Sequence, residues 1–224
     1  MSTIQECLVK LYLRLNGYFT TGFIIHSNEK KIEGEIDLLA VRFPFHSQDD
    51  TEHNASTFLD VPKNIDIIVA EVKSKGKSLK FNKSLYNEEA IESWRKILNW
   101  VGVLDSAQIE DAANALRALV SPVENSQLKN FKSFSVKSEI GTVTFRPILF
   151  SPERLSDNNA DKFINWNEIN NFIWLCLCPS EQRDSCGTRY DFTSWGLELS
   201  EIVRFYKNRQ ISQKKTNCDS RALR

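Results

Sequence analysis

The chain predicts an α/β protein, a mixed central sheet flanked by helices with a helical C-terminal part. Three observations carry that expectation: a strand run apolar on both faces at residues 67–70, amphipathic helical stripes before and after it, and the order helix, strands, helices, strand along the chain. Ile4, Leu8, Leu11, Tyr12 and Leu15 recur at helical spacing, Thr3 marks the start, and Asn16 with Gly17 supplies the stop. Residues 23–25, 36–41 and 65–73 read as strands, the last rich in β-branched residues. Between the second and third, residues 43–64 form an inserted loop whose stretch 46–56 is polar and unpatterned.

Beyond Lys73 the pattern turns helical. Ala90, Ile91, Trp94, Ile97, Leu98 and Val101 make a stripe in which Trp94 is a core residue and Asn87 a cap. Asp105 and Gln108 form a capping box before Ile109, Ala112, Leu116 and Val120. Strand character returns at 142–150. The apolar run 172–178 fits a buried strand or a short helix, between which periodicity does not decide, and its length and Pro179 lean it towards strand; Trp195 to Tyr206 reads as a last helix. Residues 207–224 are basic and unpatterned and read as a disordered tail, leaving 1–206 as one domain.

Composition narrows the function classes. At 224 residues, 41% hydrophobic and 26% charged, the chain is globular rather than fibrous or disordered. Lys plus Arg equals Asp plus Glu at 29 each, so no net field drives nonspecific binding to a polyanion or a membrane. Five scattered cysteines read as free thiols; Cys176, Cys178 and Cys186 lack the paired spacing and the nearby His of a zinc site. No apolar run approaches the ~20 residues of a membrane span, and the first ten residues do not resemble a signal peptide. The expectation is a cytoplasmic protein.

The chemistry lies at a strand end. Glu71 and Lys73, two apart, emerge side by side where the buried run 67–70 finishes, and Asp37 on the preceding strand supplies a second carboxylate if the two strands pair. Two convergent carboxylates suit Mg²⁺, which takes one or two such ligands and fills its remaining positions with water and phosphate oxygens. A protonated lysine beside them would hold the attacking water and offset charge building on phosphorus. Hydrolysis of a phosphodiester is the reaction this spacing suggests.

These residues resemble the PD-(D/E)xK nuclease superfamily, of restriction-endonuclease-like fold: Asp37 within 34–41 (GEIDLLAV), then Glu71 and Lys73 within 70–73 (AEVK), behind an opening helix 6–19 (ECLVKLYLRLNGYF) that ends in Gly and aromatics. The resemblance covers about the first third of the chain. It implies a mixed-sheet core and Mg²⁺- or Mn²⁺-dependent endonuclease or exonuclease activity, on DNA ahead of RNA. Asp37 and Glu71 become metal ligands, Lys73 the catalytic lysine and Glu6 an auxiliary acid at the metal. Ile36 stands where the nominal motif has Pro, and the loop 43–64 is an insertion.

Competing readings attach to several residues. Thr3 and Glu6 also form a capping box, which would occupy Glu6 without any metal. Asp66 at a strand entrance suggests a turn role, and Glu35 a solvated acid. Lys75, Lys77, Lys80 and Lys83 carry no intervening acid and are candidate contacts to a nucleic-acid backbone, a patch that Arg95 and Lys96 could extend. The alternative function is a catalytically silent nuclease-fold module for binding or assembly, acting with a partner protein or as a homodimer.

Overall fold

The structure, a computed structural model, describes residues 3–26, 32–47, 55–121, 132–155, 163–178 and 195–222; for residues 33 and 211–222 it describes the backbone alone. The elements in chain order are α1 (Ile4–Leu15), β1 (Phe19–His26), β2 (Ile32–Arg42), β3 (Ile65–Val72), a 3₁₀ turn (Lys83–Leu85), α2 (Ala90–Val101) and α3 (Ser106–Val120). There follow β4 (Phe134–Ser138), β5 (Gly141–Ser151), β6 (Ile164–Asn165), α4 (Trp166–Leu177) and α5 (Gly196–Ala222). The expected α/β class is observed: a six-stranded mixed sheet in the order β1-β2-β3-β5-β4, with β6 beside β5.

Strands β1, β2 and β3 pair antiparallel, β3 and β5 run parallel, and β4 returns antiparallel to β5. The parallel pair requires a crossover, and α2 and α3 supply it. Alternation along β3 explains its doubly apolar sequence. Ile68 and Ala70 pack with α1, α4 and α5, whereas Ile65, Ile67 and Val69 pack with α2 and α3, so both faces of the strand are covered.

Local signals set the helix ends. Thr3 accepts from the Glu6 backbone N–H at 3.2 Å and Glu6 reaches back to the Thr3 N–H at 3.3 Å, a complete capping box. Asp105 and Gln108 close a second one at α3. Gly17 ends α1 at φ +87°, a backbone conformation that favours glycine, and a Cβ there would displace the His46 ring, 2.4 Å away.

Several expectations are corrected. The run 172–178 is helix: Asn165 caps α4 by accepting from the Glu168 N–H at 3.1 Å, and Phe172, Ile173, Cys176 and Leu177 form its buried stripe. Residues 207–222 continue α5 rather than fraying into a tail; no Gly or Pro interrupts the stretch, and Lys, Arg and Gln recur in it up to Lys215; 223–224 lie outside the described residues. The residue before α2 is Glu89, which makes no side-chain cap, so Asn87 does not cap this helix. Asp66 is no turn residue. It is fully buried and receives the Arg146 guanidinium through both Nε, at 2.9 Å, and Nη2, with Tyr18 donating at 2.5 Å. Arg146 also donates to the Leu59 carbonyl at 2.6 Å, which ties the loop between β2 and β3 to the sheet. That loop spans 43–64 as expected, and its residues 48–54 lie outside the described set. Strands β4 and β6 were not anticipated.

Candidate active site

Pairing between β2 and β3 stops at Leu38 opposite Ala70. One step further, Asp37 and Glu71 stand on neighbouring strands at the point where the strands part. The cause lies partly in β1: between the pairs Thr21–Leu39 and Phe23–Ile36, two β2 residues, Asp37 and Leu38, face the single Gly22. This bulge turns Asp37 out of strict alternation, and its Oδ2 accepts from the Val72 N–H at 2.6 Å where a ladder carbonyl would otherwise be. The side chain therefore caps the open end of β3.

Glu71 and Lys73 share the side of β3 that faces the α2 and α3 layer. Glu71 is 2% exposed, and its Oε1 accepts from Lys73 Nζ at 2.5 Å. Its other oxygen, Oε2, is buried without a hydrogen-bond partner. A buried, unpaired carboxylate oxygen is costly unless something positive meets it. Lys73 is held further by Asn82 Oδ1 at 3.0 Å, and its backbone is fixed by β5, donating to the Phe150 carbonyl at 2.8 Å and accepting from Ser151 Oγ at 2.7 Å.

The electrostatics follow the burial. Desolvation pushes the Glu71 carboxyl up to about 7, with the Asp37 charge adding to the rise and the Lys73 ammonium opposing it. Asp37 is raised as well, first by desolvation, with the Val72 N–H opposing and the Glu6 and Glu35 charges adding. Both carboxylates thus resist ionising, Glu71 partly because of the Asp37 charge and Asp37 partly because of Glu6 and Glu35.

No family model, no curated protein and no solved structure matches the chain. The residues themselves must therefore carry the functional argument. Asp37, Glu71 and Lys73 are brought together as the spacing anticipated. Glu6 is close enough for its charge to act on Asp37, but its carboxylate is engaged with Thr3 through both oxygens, Oε1 accepting from Thr3 Oγ1 at 2.9 Å. Among the described residues no three His, Cys, Asp or Glu side chains form a ready-made metal cage. A two-carboxylate set nonetheless fits Mg²⁺, which keeps most of its ligands as water and phosphate, and the orphaned Glu71 Oε2 is an oxygen that such a cation would satisfy.

Around this centre, Lys75, Lys77 and Lys80, in the connection from β3 to the 3₁₀ turn, and Lys83, the first residue of that turn, are all exposed. That connection is pinned to the end of β5: the Lys75 N–H donates to Glu153 at 2.6 Å and Arg154 Nη2 donates to the Lys77 carbonyl at 2.5 Å. Glu35 is exposed, as expected. Arg95 does not extend the basic patch, because Glu110 receives it through two bonds of 2.8 Å and Glu92 through a third. Lys96 donates to the His26 carbonyl at 2.7 Å. Sequence reasoning missed Asn82, Glu153 and Arg154, whose roles depend on loop geometry that no periodicity encodes. Cys7, Cys176 and Cys178 are buried free thiols, as expected of the latter two, and Cys186 lies outside the described residues.

Proposed function

We propose that the protein is a metal-dependent nuclease that hydrolyses phosphodiester bonds in nucleic acid, with DNA ahead of RNA. The observation that supports this most is Glu71, a buried carboxylate with one unpartnered oxygen, bonded to Lys73 beside Asp37 at the open end of the sheet. Asp37 and Glu71 are the residues that would hold Mg²⁺ or Mn²⁺. When bound, the cation supplies Lewis-acid polarisation of the scissile phosphate and makes hydroxide available near neutral pH. Lys73, with two of its three N–H donors committed to Glu71 and Asn82, has the third available for the attacking water and places a positive charge beside the phosphate as negative charge builds. Lys75, Lys77, Lys80 and Lys83 provide sequence-independent contacts to the backbone.

The test is cleavage of single- and double-stranded DNA and RNA with Mg²⁺ or Mn²⁺. Wild type should cut at least one substrate, and Asp37→Asn and Lys73→Ala should lose cutting by at least a hundredfold while remaining folded. A wild type that cuts nothing across this panel overturns the reading.

A second reading, a nuclease-fold module that binds or assembles with a partner without cleaving, is favoured by the engagement of Glu6 in the capping box and by the zero net charge. Calorimetric titration with Mn²⁺ separates the two. A site lost in Asp37→Asn supports the enzyme, and no such site supports the module.

A further inference from the structure

Lys73 is the one cation bonded to the paired carboxylates among the described residues, and its position depends on what its ammonium meets. Glu71 Oε1 is one acceptor, yet Glu71 is also the group with an oxygen to offer a metal. A lysine held by that carboxylate alone would shift whenever the carboxylate turned toward a cation. The second acceptor, Asn82 Oδ1 at 3.0 Å, carries no charge and is already taken up by Lys73, so it draws a cation less than a free carboxylate oxygen would. Asn82 sits at the start of the 3₁₀ turn in extended conformation, φ −63° and ψ 148°, with Lys80 and Lys83 on either side of it in sequence. The turn is seated in the core through Leu85, whose carbonyl accepts from Trp94 Nε1 at 2.9 Å.

We propose that Asn82 is a positioning residue of the reaction centre, one that keeps Lys73 aimed while Glu71 serves the metal and that joins the basic, phosphate-contacting loop to the catalytic pair. The inference rests on the nuclease reading above. The outcome is a division of labour within one short connection: the lysines flanking Asn82 set substrate affinity, and Asn82 sets turnover.

Steady-state kinetics of full-length Asn82→Ala should show kcat reduced about 10- to 100-fold with KM within about twofold of wild type. Lys80→Ala should do the reverse, raising KM with kcat retained. Asn82→Asp keeps an acceptor oxygen toward Lys73 and should recover part of the lost kcat. An Asn82→Ala enzyme with wild-type kcat, or Ala and Asp variants equally impaired, overturns the proposal. A readout independent of cleavage is lysine-selective ¹⁵N NMR, in which a held Lys73 ammonium gives a resolved, slowly exchanging NζH₃⁺ signal. That signal should vanish in Asn82→Ala and persist in Asn82→Asp; its persistence in Asn82→Ala overturns the proposal even if cleavage is never seen. A wild type that cuts nothing, with the signal behaving as expected, removes the nuclease reading and leaves the hold on Lys73 established.

Discussion

At the scale of single residues, Asp37 does two jobs that substitution can separate. Its carboxylate accepts the Val72 N–H at 2.6 Å, and it is a proposed metal ligand. Asp37→Asn keeps an acceptor for that N–H, whereas Asp37→Ala leaves it without one at a cost of about 1–3 kcal/mol, reduced by whatever relief comes from removing a carboxylate that burial disfavours. Thermal melts should therefore place Asn above Ala in stability while both lose metal binding. Glu71 gives the pH dependence. Its folded-state value near 7 lies above the ordinary carboxylate value near 4.5, so the folded protein holds more protons than the unfolded chain between these limits, and the metal-free protein loses stability as pH rises through that window. Glu71→Gln should be more stable than wild type at pH 8, by on the order of 2 kcal/mol, and the advantage should vanish below about pH 4.5. Saturating Mn²⁺ should raise the melting temperature of wild type and not of the variant.

At the scale of elements, β3 organises the site because both its neighbours contribute to its C-terminal end. β2 brings Asp37 through a bulge, and β5 fixes the Lys73 backbone and carries Glu153 and Arg154 just past its end. The same strand pair is clamped near its start by Asp66 and Arg146, a buried bidentate ion pair reinforced by Tyr18. Removing one partner strands the other charge in the core, so Asp66→Ala or Arg146→Ala should cost about 3–5 kcal/mol in denaturant unfolding. Much of this arrangement was legible in the sequence, where the double apolar character of 67–70 located β3 and spacing located Glu71 and Lys73. The capping boxes at Thr3 and Asp105 likewise announced α1 and α3. The Asp66–Arg146 pair was hidden because its partners lie 80 positions apart and nothing local distinguishes a clamped aspartate from a turn aspartate. Helix α4 is undecided in sequence, with a lean towards strand, because a short run apolar throughout shows no period, and the Asn165 cap that settles it lies seven residues upstream of the run.

At the scale of the whole molecule, zero net charge coexists with a basic edge beside the site. Four exposed lysines lie in nine positions, 75 to 83, while Arg95 on the neighbouring helix is already matched by Glu92 and Glu110. On the proposed nuclease reading, affinity for nucleic acid should then depend on few contacts. Replacing Lys80 and Lys83 together by Ala should reduce the slope of log K against log salt by about 1.4 on single strands and about 1.8 on duplex, measured by fluorescence anisotropy. The parallel pairing of β3 with β5 has an effect beyond the candidate site. Ile65 meets Val143 and Val72 meets Phe150, so every rung of that ladder closes a loop of 78 residues. A ribosome must deliver β5 before β3 gains its second neighbour, and until then a nascent chain presents eight mostly apolar residues as an unpaired edge. The strand that bears Glu71 and Lys73 is also, during synthesis, the segment most in need of protection from other chains.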